Sequence, residues 1–109
     1  MPMTDEPLLV STTFERQEHA EDVARALLNK RIIACAQVHG PVKSMYWWKN
    51  EIQESVEFLL TLKTLDSLYP EVESTILEEH PYDLPEIIAE PLVRISSDYL
   101  NWMKGEMER

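Results

Sequence analysis

A chain of 109 residues, 44% of them apolar, is one globular domain that can bury roughly two-thirds of its unfolded surface. Ten basic against twenty acidic side chains give a formal charge of −10, which repels phosphate backbones and anionic membranes and argues against a nucleic-acid partner. A single cysteine, Cys35, excludes an internal disulfide and a Cys–Cys zinc pair, and no apolar run approaches the ~20 residues of a membrane span. The start, Met1 to Pro7, is acidic and proline-bearing, without a basic or an apolar signal-peptide region. It reads as a flexible lead-in, and the expected compartment is the cytoplasm.

Leu8 to Phe14 is an apolar, β-branched run that predicts a buried strand. Thr12 and Glu15 then have the spacing of a helix capping box. Ala20, Val23, Ala24, Leu27 and Leu28 form one helical stripe, with acids early and Arg25, Lys30 and Arg31 late, as the helix dipole favours. Ile32 to Val38 is apolar on both faces, which predicts a central strand. Gly40-Pro41 predicts a bulge or bend before the strand resumes through Tyr46-Trp47-Trp48. Ile52, Val56, Phe58, Leu60 and Leu62 alternate with mostly polar residues, the pattern of a half-buried strand. Asp66 or Ser67 is placed to cap a second helix with Pro70 in its first turn and Leu68, Val72, Thr75 and Ile76 inward. Glu86 to Ala89 starts a last strand that Pro91 confines to an edge, and Ser96 or Ser97 caps a short terminal helix. The order β-α-β-β-α-β-α fits a ferredoxin-like, split β-α-β fold with both main helices on one sheet face.

Glu79-His80-Pro81-Tyr82-Asp83-Leu84-Pro85-Glu86 gathers a histidine, carboxylates and a phenol at a rigid corner. Pro81 ends the second helix there, because its ring clashes with the preceding turn and it lacks an N–H. The plain alternative is an αβ turn with solvated charges. Glu78, Glu79 and the helix-end carbonyls are expected to favour a protonated His80.

Strands over Ile33–Trp48 and Ile52–Thr64 would be roughly 43–53 Å long at ~3.3 Å per residue. A compact domain of this size is roughly 35 Å across, so the hairpin overhangs it. The arm carries Tyr46, Trp47 and Trp48, which predicts burial against other subunits rather than an aromatic cage.

Ala34-Cys35-Ala36, Tyr46-Trp47-Trp48, Leu62-Lys63-Thr64, His80-Pro81-Tyr82 with Pro85-Glu86, and Tyr99-Leu100-Asn101-Trp102 occur in that order. Together, over about Leu8 to Met103, they resemble the CutA divalent-cation-tolerance family. The resemblance implies a homotrimer related in architecture to PII-type signalling proteins. It also implies a role in tolerance of copper and other divalent ions, with copper binding attributed to members. Some members bear cysteine at the position of Ser11 and histidine at that of Glu79; His80 matches. The implied metal residues are thus His80, Glu79 and Ser11, with Asp83 and Glu86 as further ligands. Losing the thiolate argues most against Cu(I), while imidazole and carboxylate still suit Cu(II) or zinc. Asn50 stands where members often have glycine at the hairpin tip, and asparagine tolerates that left-handed conformation.

Other readings are a PII-like regulator with an unidentified small-molecule effector, a trimeric scaffold with incidental metal binding, and a small enzyme pairing His80 with Glu86 or Asp83. The enzyme reading lacks a nucleophile and a phosphate loop, so the expectation is a protein that is not an enzyme. Cys35 reads as an inert small core residue, His19 as solvated, and His39 is left open.

Overall fold

A computed structural model describes residues 5–107 of the chain. The elements are β1 (Pro7–Phe14), α1 (Gln17–Asn29), β2 (Cys35–Trp48), β3 (Glu51–Leu65), α2 (Tyr69–Glu79), β4 (Ile87–Pro91) and α3 (Ser97–Glu106). The sheet order is β2-β3-β1-β4 with every neighbouring pair antiparallel, the split β-α-β arrangement. Within the lead-in expected to be flexible, residues 5–7 are tied down and Met1–Thr4 lie outside the described residues. The Asp5 carboxylate accepts the Ser67 backbone N–H at 2.9 Å, and the Glu6 carbonyl accepts the Asp66 N–H at 2.8 Å.

Alternation decides which sheet face is covered. Leu8, Val10, Thr12 and Phe14 of β1 and Leu60, Leu62 and Thr64 of β3 are buried and point to the side of α1 and α2. Ala20, Val23, Ala24 and Leu27 of α1, with Val72 and Ile76 of α2, close that core. Burying such aliphatic side chains stabilises the fold by about 1.5–3 kcal/mol each. A second, smaller core of Ala34, Leu65, Met103 and Met107 docks α3 against the start of β2 and the end of β3. The opposite sheet face carries Leu9, Ser11, Gln37, His39, Thr61 and Lys63.

Several local expectations give way to tertiary structure. Thr12 does not cap α1, because β1 runs on to Phe14; Arg16 takes the cap position without a side-chain bond. Lys30 and Arg31 lie beyond the end of α1 rather than in its last turn. There the Lys30 ammonium donates to Thr75 Oγ1 at 3.1 Å, and Arg31 donates to the Glu106 carbonyl at 3.0 Å. Asp66 and Ser67 do not cap α2 either, since they enter a 3₁₀ turn over Asp66–Leu68. Leu28, expected in the inner stripe, is exposed, and β2, expected to be a central strand, is an edge of the sheet because only β3 pairs with it. Ser96 does cap α3, accepting the Tyr99 N–H at 3.3 Å, and β4 is an edge strand as Pro91 requires.

The β2–β3 hairpin stands out from the domain. Its register shifts between His39 and Val42, where Gly40-Pro41 makes the expected irregularity, but the ribbon continues to Trp48 paired with Glu51. The molecule measures 49 × 25 × 22 Å, so its long axis is the hairpin. Lys49 and Asn50 close the arm at φ 52° and 63°, the double left-handed geometry of a two-residue hairpin turn. Asn50→Val is expected to cost roughly 1–2 kcal/mol, because a β-branched side chain resists that conformation. Asn50→Gly should be neutral or mildly stabilising. A thermal melt that leaves the valine variant level with the parent would refute this account of the turn.

Candidate functional site

His80 sits at the C-cap of α2 with extended backbone, φ −78° and ψ 134°, as the following proline dictates. Its ring packs against the last residues of β1. It stacks on Phe14 at 4.3 Å and 16°, and Tyr82 tilts against it at 4.7 Å. Nε2 lies 2.8 Å from the Thr13 carbonyl, and the Tyr82 backbone N–H donates to Nδ1 at 3.2 Å. Those two contacts fix the tautomer: the proton is on Nε2 and the lone pair on Nδ1.

The surroundings include partners separated widely in sequence. His19, read as solvated, instead stacks on Phe14 at 5.5 Å, and its Nε2 lies 3.0 Å from the Glu79 carbonyl. It therefore binds α1 to the end of α2. Glu57, on the polar side of its strand by alternation, is only 7% exposed and accepts the Tyr82 hydroxyl at 2.8 Å. Burial first, and then that carboxylate, push the Tyr82 phenol far above its ordinary range, so it remains a hydrogen-bond donor.

The charge state of His80 reverses the local expectation. Burial holds the imidazole below its ordinary range, against the upward pull of the Thr13 carbonyl and Glu57; nearby His19 adds to the lowering. Glu78 and Glu79 do not govern it, since both are exposed to solvent. A neutral buried histidine takes up fewer protons than the same residue unfolded. Stability therefore rises with pH between the lowered folded pKa and the unfolded value near ~6.5. The contribution is present above that window and is lost as pH falls through it. Urea midpoints are expected to drop from pH 7 to pH 5, and His80→Phe, which keeps the stack, should flatten the drop. An equal drop in that variant would locate the acid sensitivity elsewhere.

The residues implied as metal ligands are spread over the molecule. Ser11 is opposite Thr61 and Ile88 on the face of the sheet without α1 and α2, whereas His80 packs on Phe14, which points to the other face. Glu79, Asp83 and Glu86 are exposed around the corner. Among the described residues no three histidine, cysteine, aspartate or glutamate side chains gather as a metal cage. With Nδ1 already accepting the Tyr82 N–H, the protomer alone does not fit a closed metal site. Tyr46, Trp47 and Trp48 lie on the projecting arm, and all three are exposed.

The fold and much of the sequence recur in known proteins. The sequence profile of the CutA1 divalent ion tolerance protein family matches residues 8–106. The chain belongs to that family. The divalent-cation tolerance protein CutA of Pyrococcus horikoshii is 39% identical over 102 residues, covering 94% of this chain and 99% of that protein. Human protein CutA is 35% identical over 96 residues, covering 88% of this chain and 54% of that protein. The crystal structure of divalent ion tolerance protein CutA1 from Ehrlichia chaffeensis superposes with a TM-score of 0.91 at 28% identity, covering 98% of this chain and all of that one. A structure from Archaeoglobus fulgidus, described as the periplasmic divalent cation tolerance protein CutA, gives 0.90 at 31% identity, covering 94% and 99%. The CutA1 fold seen here is thus a mixed α+β fold with a four-stranded antiparallel sheet and three α-helices. Among the described residues no helix is long and apolar enough to cross a membrane.

Proposed function

We propose that this chain works as a homotrimeric divalent-cation-tolerance protein, a binding protein rather than an enzyme. In this reading it meets copper or another divalent ion weakly and exchangeably at the His80 corner. The observation that carries the trimer is the apolar surface of the arm. Trp47 is 71% exposed, Met45 66% and Ile52 63% in the isolated protomer, with Tyr46, Trp48 and Val56 beside them. A contiguous apolar ribbon of this kind on a monomer is a subunit interface or an aggregation hazard.

Metal contact at the corner rests on less. Coordination at His80 Nδ1 must displace the Tyr82 N–H, which makes binding weak. Glu79, with Asp83 and Glu86, supplies carboxylates nearby, and a tighter set needs donors from a second subunit. Ser11 joins it only across such an interface. An enzymatic acid–base pair finds no support, since neither Asp83 nor Glu86 is bonded to His80 among the described residues. A single free thiol suits a reducing compartment, and on that ground we place the protein in the cytoplasm.

Light scattering tests the assembly: a mass of about three times the 12.7 kDa chain is expected, and 12.7 kDa at micromolar concentration would refute the trimer. Calorimetric titration of Cu(II) and Zn(II) tests the corner. Saturable Cu(II) binding should disappear in His80→Ala while the mass stays unchanged, and Cys35→Ser should bind like the parent.

A further inference from the structure

Three sequence segments that the corner does not use meet at the base of the hairpin, at the opposite end of the ribbon from the aromatic arm. Cys35 and Lys63 are register partners on β2 and β3, and α3 brings Tyr99 over them. Lys63 Nζ donates to Cys35 Sγ at 3.5 Å and to Gln37 Oε1 at 3.2 Å, while Sγ lies 3.5 Å from Tyr99 Oη. Tyr99 and Trp102, one turn apart on α3, tilt together at 5.2 Å and leave both rings partly open to solvent.

In a chain of charge −10, Arg16, Arg25, Arg31 and Lys43 each pair with a carboxylate. Lys63, like Lys30, Lys49, Arg94 and Lys104, has no ion pair among the described residues, and it directs its ammonium at a thiol and an amide. A cation kept among neutral donors and acceptors retains its attraction for an incoming anion, and Gln37 adds an amide NH₂. The contact with Cys35 first, and then burial, push the Tyr99 phenol to about 12, so it presents a hydroxyl proton at neutral pH. Stability alone does not require this set, because sulfur is a weak hydrogen-bonding partner.

We propose that Lys63, Gln37 and Tyr99 form a binding site for the phosphate or carboxylate group of a small anionic molecule, with Trp102 as its apolar wall. The site is separate from the His80 corner and stands whether or not that corner takes a metal. The acidic remainder of the surface repels anions, so this basic spot selects a small ligand over a polyanion.

Cys35 is the chain's only cysteine and touches Lys63, so its alkylation by neutral iodoacetamide reports directly on occupancy. Inorganic pyrophosphate and citrate, at ionic strength matched with KCl, serve as phosphate and carboxylate probes. One of them is expected to slow alkylation saturably, approaching tenfold at about ten times its Kd. Lys63→Met should lose this protection, Lys63→Arg should keep part of it, and Lys43→Met should keep all of it. Each ratio is taken within one variant, so an altered intrinsic thiol reactivity cancels. Protection by pyrophosphate alone or citrate alone identifies the class. Protection by neither, or equal protection in Lys63→Met and the parent, would overturn the proposal.

Discussion

Truncating Trp47 and Trp48 together to alanine is expected to dissociate the assembly, and with it to lower the unfolding midpoint sharply. In an isolated protomer these side chains are 71% and 44% exposed, so as a monomer the double variant should behave almost like the parent. Surface substitutions of that kind stay within about ±0.5 kcal/mol. Covered by neighbouring subunits, each indole instead buries about 150–250 Å², and removing it costs about 3–5 kcal/mol. The two situations differ by roughly an order of magnitude in free energy, which makes the substitution a decisive probe. Light scattering should show the double variant at the mass of one chain or aggregated through the remaining arm residues. The parent's urea midpoint should rise with protein concentration, as linkage between folding and association demands, and that of the dissociated variant should not. A double variant with the parent's mass and midpoint would remove the arm from the interface.

The elements of this fold were legible in the sequence because their signals are local. The stripe from Ala20 to Leu27 marks α1, and alternation through Leu60 and Leu62 marks β3. Pro91 confines β4 to an edge, while Gly40-Pro41 marks the ribbon's irregularity. Strand length alone exposed the overhang, since two arms of 14 and 15 residues do not fit inside so small a domain. The candidate site was legible only in outline. Pro81 predicts the corner, but nothing near His80 in sequence announces Thr13, His19, Phe14 or Glu57 as its surroundings. Burial set by those distant residues outweighs the adjacent Glu78 and Glu79, which is why the imidazole shifts down rather than up. Capping failed as a guide at α1 and α2 for the same reason. Thr12 obeys the ladder with Leu60 and Ile87, and Asp66 and Ser67 obey their ties to Glu6 and Asp5.

The second large effect is expected at Gly40, where backbone geometry and packing act together. Its φ of +146° is a conformation that side-chain-bearing residues rarely adopt. A Cβ built there would lie 2.8 Å from Phe58 Cδ1 and 3.1 Å from the Glu57 carbonyl oxygen, so neither rotation nor a small shift of one side chain clears it. Phe58 pairs with Phe14, on which His80 stacks, and Glu57 holds Tyr82. Displacing this stretch of β3 therefore disturbs the corner as well as the arm. Backbone strain of about 1–3 kcal/mol and overpacking of similar size put Gly40→Ala at roughly 2–6 kcal/mol destabilised. Gly105 is the matched control: nothing lies within 4 Å of its missing Cβ, and it sits near the end of α3. Gly105→Ala should be neutral or gain up to about 1 kcal/mol from helix propensity. The two variants are compared by urea unfolding of the assembled protein. If Gly40→Ala unfolds at the same midpoint as Gly105→Ala, the close approach of β2 to Phe58 is not what fixes the ribbon's bend.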